Sequence, residues 1–256
     1  MKPMIIAAPN GARRGKQDHP NLPITIAEIA AEAAACQRAG AAVLHLHVRD
    51  SNGAHSLDAG LYRAATEAIA EAAPGMLVQI TTEAAGRFEL DTQIACVEAV
   101  RPEAVSVAWR EFAPEENPAA RRFYSWAGEA GIHVQHILYS VEDIARFNAY
   151  GLKDASVLLV LGQYAGIEAR VAELPAYLAA LGPVHDWCLC AFGRAEHAVV
   201  CAGIVAGGHA RVGFENNLWL KDGALASGTH ALVAQIETEV MSTAEARQFW
   251  GITANG

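Results

Sequence analysis

Eight short apolar runs, alternating with alanine-rich stretches of helical pattern, constrain this chain more than any other feature. The runs cover residues 4–8, 42–48, 77–81, 104–108, 132–138, 156–161, 187–191 and 210–214. Each has strand length and is followed by a segment that suits a helix, and strands alternating with helices pair in parallel. Eight such units in 256 residues predict a closed (β/α)8 TIM barrel, one domain over residues 1–256, with a doubly wound open sheet as the alternative. Helix boundaries agree with this spacing. Thr25-Ile26-Ala27-Glu28 is a capping box, Gly40 stands where a C-terminal glycine belongs, and Ser140 and Asn117-Pro118 mark two further helix starts.

The second run ends in His45-Leu46-His47-Val48-Arg49-Asp50. Side chains alternate faces along a strand, so Val43, His45 and His47 share one face. Two buried imidazoles need partners, which backbone carbonyls or a metal ion supply. The eighth run, Arg211-Val212-Gly213-Phe214-Glu215, places Arg211, Gly213 and Glu215 on one face by the same alternation. In a barrel, alternate strands fill the same interior layer and active sites lie at the C-terminal mouth. Strands two and eight are both even, so Glu215 is expected to meet the histidine pair as a third metal ligand.

Composition excludes several classes. A net charge of −9 argues against nucleic-acid or anionic-membrane partners, which require clustered positive charge. There is no long apolar span and no signal-peptide pattern, and five cysteines without framework spacing fit a reducing cytoplasm. Cys188 and Cys190 share a strand face and read as small core residues. The segment 9–24, about sixteen residues against the usual roughly 2–6 for such a connection, reads as a lid or binding loop. Its Arg13, Arg14 and Lys16 point to an anionic ligand.

The His-x-His-x-Arg-Asp motif at 45–50, with Gly207-Gly208-His209-Ala210-Arg211-Val212-Gly213-Phe214-Glu215, resembles the β-keto acid cleavage enzymes, the 3-keto-5-aminohexanoate cleavage enzyme type among them. The Pro9-Asn10-Gly11-Ala12 turn, the Thr25 helix start and Leu161-Gly162 extend the resemblance over most of the chain. It implies a TIM barrel, usually a homotetramer, with Zn2+ held by His45, His47 and Glu215. It also implies condensation of a β-keto acid with acetyl-CoA, giving acetoacetate and a new acyl-CoA. Three protein ligands leave an open position, as a catalytic zinc requires. The metal would serve as a Lewis acid that stabilises the enolate.

The resemblance assigns Arg211 a catalytic role beside an acidic residue after the metal glutamate. Here that position is Asn216, which cannot take a proton and is expected to orient substrate. Glu83, after strand three, is the candidate replacement base, its plainer reading being a solvated acid at a helix start; Glu111 after strand four is a further carboxylate. Thr81 and Thr82 occupy the place of a substrate-contacting hydroxyl. Arg13 stands where some members carry an acid that pairs with a substrate amino group. A reversed sign predicts a substrate with a second anionic group, such as a 3-oxo dicarboxylate, with CoA phosphates or solvent as the alternative contact. His136 is left open between the site and the outer packing, and Gly207-Gly208 reads as a turn at the opposite barrel end. Two other functions remain. One is a zinc-dependent hydrolase or other metal-assisted lyase; the other is a non-catalytic barrel that binds a keto acid or acyl-CoA, which Asn216 keeps open.

Overall fold

The computed structural model describes residues 1–252 other than 114, 115, 153, 165, 183 and 185; positions 253–256 of the expected domain span lie outside the described residues. Eight parallel strands close into a barrel in sequence order: β1 (Ile5–Ala7), β2 (Val43–Leu46), β3 (Leu77–Thr81), β4 (Ala104–Ala108), β5 (His133–Leu138), β6 (Ser156–Leu161), β7 (Trp187–Ala191) and β8 (His209–Val212). The closing pair is β1 with β8, in the register Ile5↔Ala210 to Ala7↔Val212. Closure rules out the open doubly wound sheet.

Strand alternation divides the apolar residues into two layers. Ile6, Val43, Leu77, Ala104, Ile137, Leu158, Val160 and Cys188 fill the barrel interior. Their neighbours, such as Ile5, Leu44, Val78, Val105 and Leu189, pack outward against the helices. The helix Ile26–Arg38 illustrates the fit, burying Ile29, Ala30, Ala33 and Cys36 on one stripe. Its capping box forms as expected, and Ser140 and Asn117 cap their helices through their side chains. A final helix, Thr243–Phe249, lies at the N-terminal end of the barrel, where Trp250 stacks on His133 at 4.1 Å. The opposite mouth is left for the loops that follow the strands.

Most strand limits fall within one residue of the sequence reading, but two strands end two residues early. β2 ends at Leu46, and Val48–Arg49 instead pairs antiparallel with His55–Ser56 in a small hairpin. β8 ends at Val212, because Gly213 adopts φ +151°.

Candidate metal centre and substrate site

His45 points into the barrel, where its Nδ1 lies 2.9 Å from Gln79 Oε1. An amide oxygen only accepts, so Nδ1 carries the proton and Nε2 keeps its lone pair. The amide of Gln79 is itself oriented by donating to Gln135, which donates to Ser156 Oγ, a polar row across three strands. His45 Nε2 faces His47 Nε2 at 3.1 Å, and Glu215 Oε2 lies 3.4 and 3.5 Å from the two. All three side chains are buried. Glu215 Oε2 has no hydrogen-bond partner, although burial without one is costly. A cation between these atoms resolves that cost. The three ligand atoms lie within 4.8 Å of one another, a grouping able to hold a metal ion. Burial lowers the imidazole pKa values to about 4 for His45 and about 3 for His47, so both are in the neutral, ligating form near pH 7.

Glu215 reaches this place by a turn, which corrects the expectation of strand alternation through residue 215. A Cβ on Gly213 would lie 2.1 Å from the Ala8 carbonyl oxygen, so the backbones meet where only glycine fits. The amides of Asn216 and Asn217 both donate to the Gly213 carbonyl, at 2.8 and 2.9 Å. Buried Glu196 takes Gly213 N–H and Asn217 Nδ2, each at 3.1 Å. Arg14 donates to the carbonyls of Phe214 and Asn216. Arg211 projects inward from β8 and donates from Nη2 to Glu215 Oε1 at 3.0 Å, while its Nε and Nη1 have no partner. Burial alone would raise the Glu215 carboxyl; Arg211 and the two imidazoles reverse that and hold it well below the usual range.

The remaining expected residues gather around this centre to different degrees. Glu83 is half-buried after β3, and burial, followed by Glu215 and Glu111, pushes its carboxyl up to about 7. Arg13 Nε lies 3.7 Å from Glu83 Oε1, with the arginine side chain 56 % exposed. Thr81 Oγ accepts the Glu83 amide and retains its own proton, whereas Thr82 Oγ donates to the Ser106 carbonyl. Asn216 is fully buried with both amide atoms unpartnered. Glu111 accepts the Ala84 amide.

Other residues lie elsewhere. His136 packs outside the barrel among Trp109, Tyr124 and Phe147. Gly207 turns at φ +94° ahead of β8, at the end away from the site. Cys188 and Cys190 are buried, free thiols.

The first loop overturns one reading. Arg14 holds the turn that carries Glu215, and Lys16 pairs with Glu28 at 2.6 Å. Two of its three cations are thus satisfied by the chain itself, and Arg13 is left at the mouth. Arg49, a motif residue, donates to the carbonyls of Asn10, Gly11, Arg14 and Gly53, tying this loop to the hairpin.

Sequence reasoning did not single out Gln79, Gln135, Glu196 or Tyr164. The first two were accessible through parity, since Gln79 precedes Thr81 by two residues on the same face. Tyr164 lies three residues beyond the end of β6, with its hydroxyl buried and unpartnered.

Comparison with known proteins places the chain. The family profile described as beta-keto acid cleavage enzyme matches residues 2–252. A 3-keto-5-aminohexanoate cleavage enzyme of Fusobacterium nucleatum is 29 % identical over 268 residues, covering 96 % of this chain and 97 % of its own. A 3-oxoadipate:acetyl-CoA acetyltransferase of Cupriavidus necator is 26 % identical over 273 residues, covering 98 % and 95 %. Among solved structures, apo ObcA superimposes with a TM-score of 0.71 at 17 % identity, over 91 % of this chain and 66 % of that longer one, a likeness of fold. No helix among the described residues is long and apolar enough to cross a membrane. With its profile matched nearly end to end, the chain belongs to the beta-keto acid cleavage enzyme family.

Proposed function

We propose that the protein condenses a β-keto acid bearing an anionic tail with acetyl-CoA, releasing acetoacetate and a new acyl-CoA. The observation that carries this reading is the buried His45–His47–Glu215 triad set against the free edge of the Arg211 guanidinium. The metal we propose is Zn2+, which His45, His47 and Glu215 would hold, since it suits two imidazoles and a carboxylate, and which would supply Lewis acidity to the substrate. Arg211 offers Nε and Nη1 to an anionic oxygen of the substrate while Nη2 stays on Glu215. Glu83 takes the C2 proton, since a carboxyl poised near 7 matches a base working at neutral pH. Asn216 donates a hydrogen bond from its free Nδ2 to a substrate oxygen, and Thr81 donates the hydroxyl proton that its own acceptor role leaves available.

Arg13 receives the distal carboxylate. It stands exposed at the mouth with a single long ion pair to Glu83, a partner that a substrate carboxylate replaces in bidentate geometry. A relative named for 3-oxoadipate supports a dicarboxylic substrate. The test is acetoacetate production from a panel of β-keto acids, with and without acetyl-CoA, on zinc-loaded protein. The expected result is a CoA-dependent signal, greatest for 3-oxo dicarboxylates. Keto acid consumed without acetyl-CoA and without acetoacetate would mean hydrolysis, and keto acids left intact across the panel would mean binding only. Arg13→Glu is expected to shift preference towards amino-substituted keto acids; an unchanged ranking removes Arg13 as selector. The homotetramer implied by the family resemblance is read by light scattering on the same sample.

A further inference from the structure

Tyr164 is a buried polar residue at this mouth that the proposed reaction leaves unused. Its hydroxyl oxygen is shielded from solvent and has no hydrogen-bond partner. Gly11 fixes where that oxygen lies. A Cβ built on Gly11, which sits at φ +60°, would fall 2.6 Å from the phenol oxygen and 2.6 Å from Glu215 Cγ. The hydroxyl and the stem of the metal-facing carboxylate are therefore neighbours across a position kept free of side chain. The tyrosine ring packs on Phe192 at 4.6 Å between centroids, and the Arg13 guanidinium lies 5.1 Å from the ring centre. Burial, then Glu215 and Glu83, raise the phenol pKa well above its ordinary value, while Arg211 opposes them. A phenol in that setting keeps its proton and can only donate it into a hydrogen bond or leave it unsatisfied.

Resting on the reading of the site given above, we propose that Tyr164 is a catalytic residue. Its hydroxyl donates a hydrogen bond to the substrate oxygen on which negative charge develops as the keto acid is enolised. The phenol proton is not transferred; it stays on the tyrosine and the hydrogen bond shortens as charge grows. Such a donor is pre-aimed, in a site screened from water, and so acts on the transition state more than on the bound substrate. The location explains why position 11 is glycine in a loop that Arg49 and Asn10 otherwise tie down. Any side chain there would occupy the space between donor and carboxylate.

Tyr164→Phe removes one oxygen and keeps the ring beneath Arg13. For the wild type and this variant, zinc content, kcat and KM for the preferred keto acid are measured. So is calorimetric affinity for oxalate, a planar dianion whose oxygens resemble those of an enolate. The expected result is full zinc, a kcat lower by about a hundredfold to a thousandfold, a KM changed far less than kcat, and weaker oxalate binding. Unchanged kcat with unchanged oxalate affinity overturns the proposal, leaving Tyr164 as packing. Loss of zinc overturns it as well, because the phenol would then be supporting the carboxylate ligand. Should the wild type make no acetoacetate from any keto acid, the functional reading fails on its own. The oxalate comparison still decides whether the hydroxyl faces a bound oxyanion.

Discussion

At the scale of single residues, the function proposed above divides the site into groups that would hold a cation and groups that would move a proton. Glu215 is ionised far into the acid range because Arg211 and the two imidazoles outweigh its burial. Glu83 has the opposite balance, its burial reinforced by Glu215 and Glu111. Two carboxylates in one mouth thus differ by environment, the pattern expected where one ligates and the other works as base. For Glu83 the sign is direct. The base acts when deprotonated, so kcat is expected to rise with pH through about 7, and Glu83→Gln should abolish that limb and lower kcat by about 10²–10⁴-fold. A rate profile that keeps the limb in Glu83→Gln assigns the proton to another group. The ligands are tested without turnover: His45→Ala and Glu215→Gln are each expected to purify with well under one zinc per chain, read by atomic emission. Full metal in either would mean a different ligand set. The grouping of His45, His47 and Glu215 was legible because these residues follow apolar runs of recognisable period, whereas Glu83 stood out only as a carboxylate just beyond strand three. Arg14 and Lys16 were misread as ligand-binding cations, because the carbonyls of Phe214 and Asn216 that hold Arg14 lie about 200 positions away in sequence.

At the scale of elements, the short connections matter more than the strands. The eight strands were legible because buried parallel strands read as continuous apolar runs. The hairpin of Val48–Arg49 with His55–Ser56 was not, since strands of two residues carry no period. The turn after β8 was hidden for a different reason. Alternation through Gly213 selected the correct glutamate by an argument that the backbone does not follow. What aims Glu215 is the contact of Gly213 with Ala8, together with Glu196, Asn217 and Arg14 around the turn. Gly213→Ala is therefore predicted to act on both stability and metal. A Cβ 2.1 Å from a backbone oxygen cannot be relieved by rotating a side chain, so β1 and β8 must separate. A loss of about 2–4 kcal/mol in denaturant unfolding is expected, with weakened zinc binding. Wild-type stability and zinc content in this variant would mean that the turn tolerates a Cβ and that its conformation is not what places Glu215.

At the scale of the whole molecule, the barrel stores a large number of buried neutral imidazoles, and these make its stability depend on pH in a defined direction. Burial lowers His45, His55, His136 and His209 to about 4 and His47 and His133 to about 3. On unfolding each returns to an ordinary value near 6.5. Between about 4 and 6.5 the unfolded chain therefore binds protons that the folded chain refuses, and stability rises with pH wherever the unfolded state binds more. Three carboxyls act in the opposite sense, because burial raises Asp186 to about 6, Glu83 to about 7 and Glu196 to about 8. In the folded state these keep protons that the unfolded chain has released. Six histidines outweigh three carboxyls until about pH 7, where the unfolded imidazoles are mostly neutral; above that Glu83 and Glu196 make stability fall gently towards 8. The melting temperature of metal-free protein is thus expected to peak near pH 7, dropping steeply towards 4 and slightly towards 8. Bound zinc should flatten the acid side at first, because the metal must leave His45 and His47 before protons can reach them. Calorimetric scans across pH 4–8, with and without chelator, measure both curves. A metal-free Tm that climbed as pH fell from 6.5 to 5 would mean that the carboxyls, not the imidazoles, dominate the proton balance of folding.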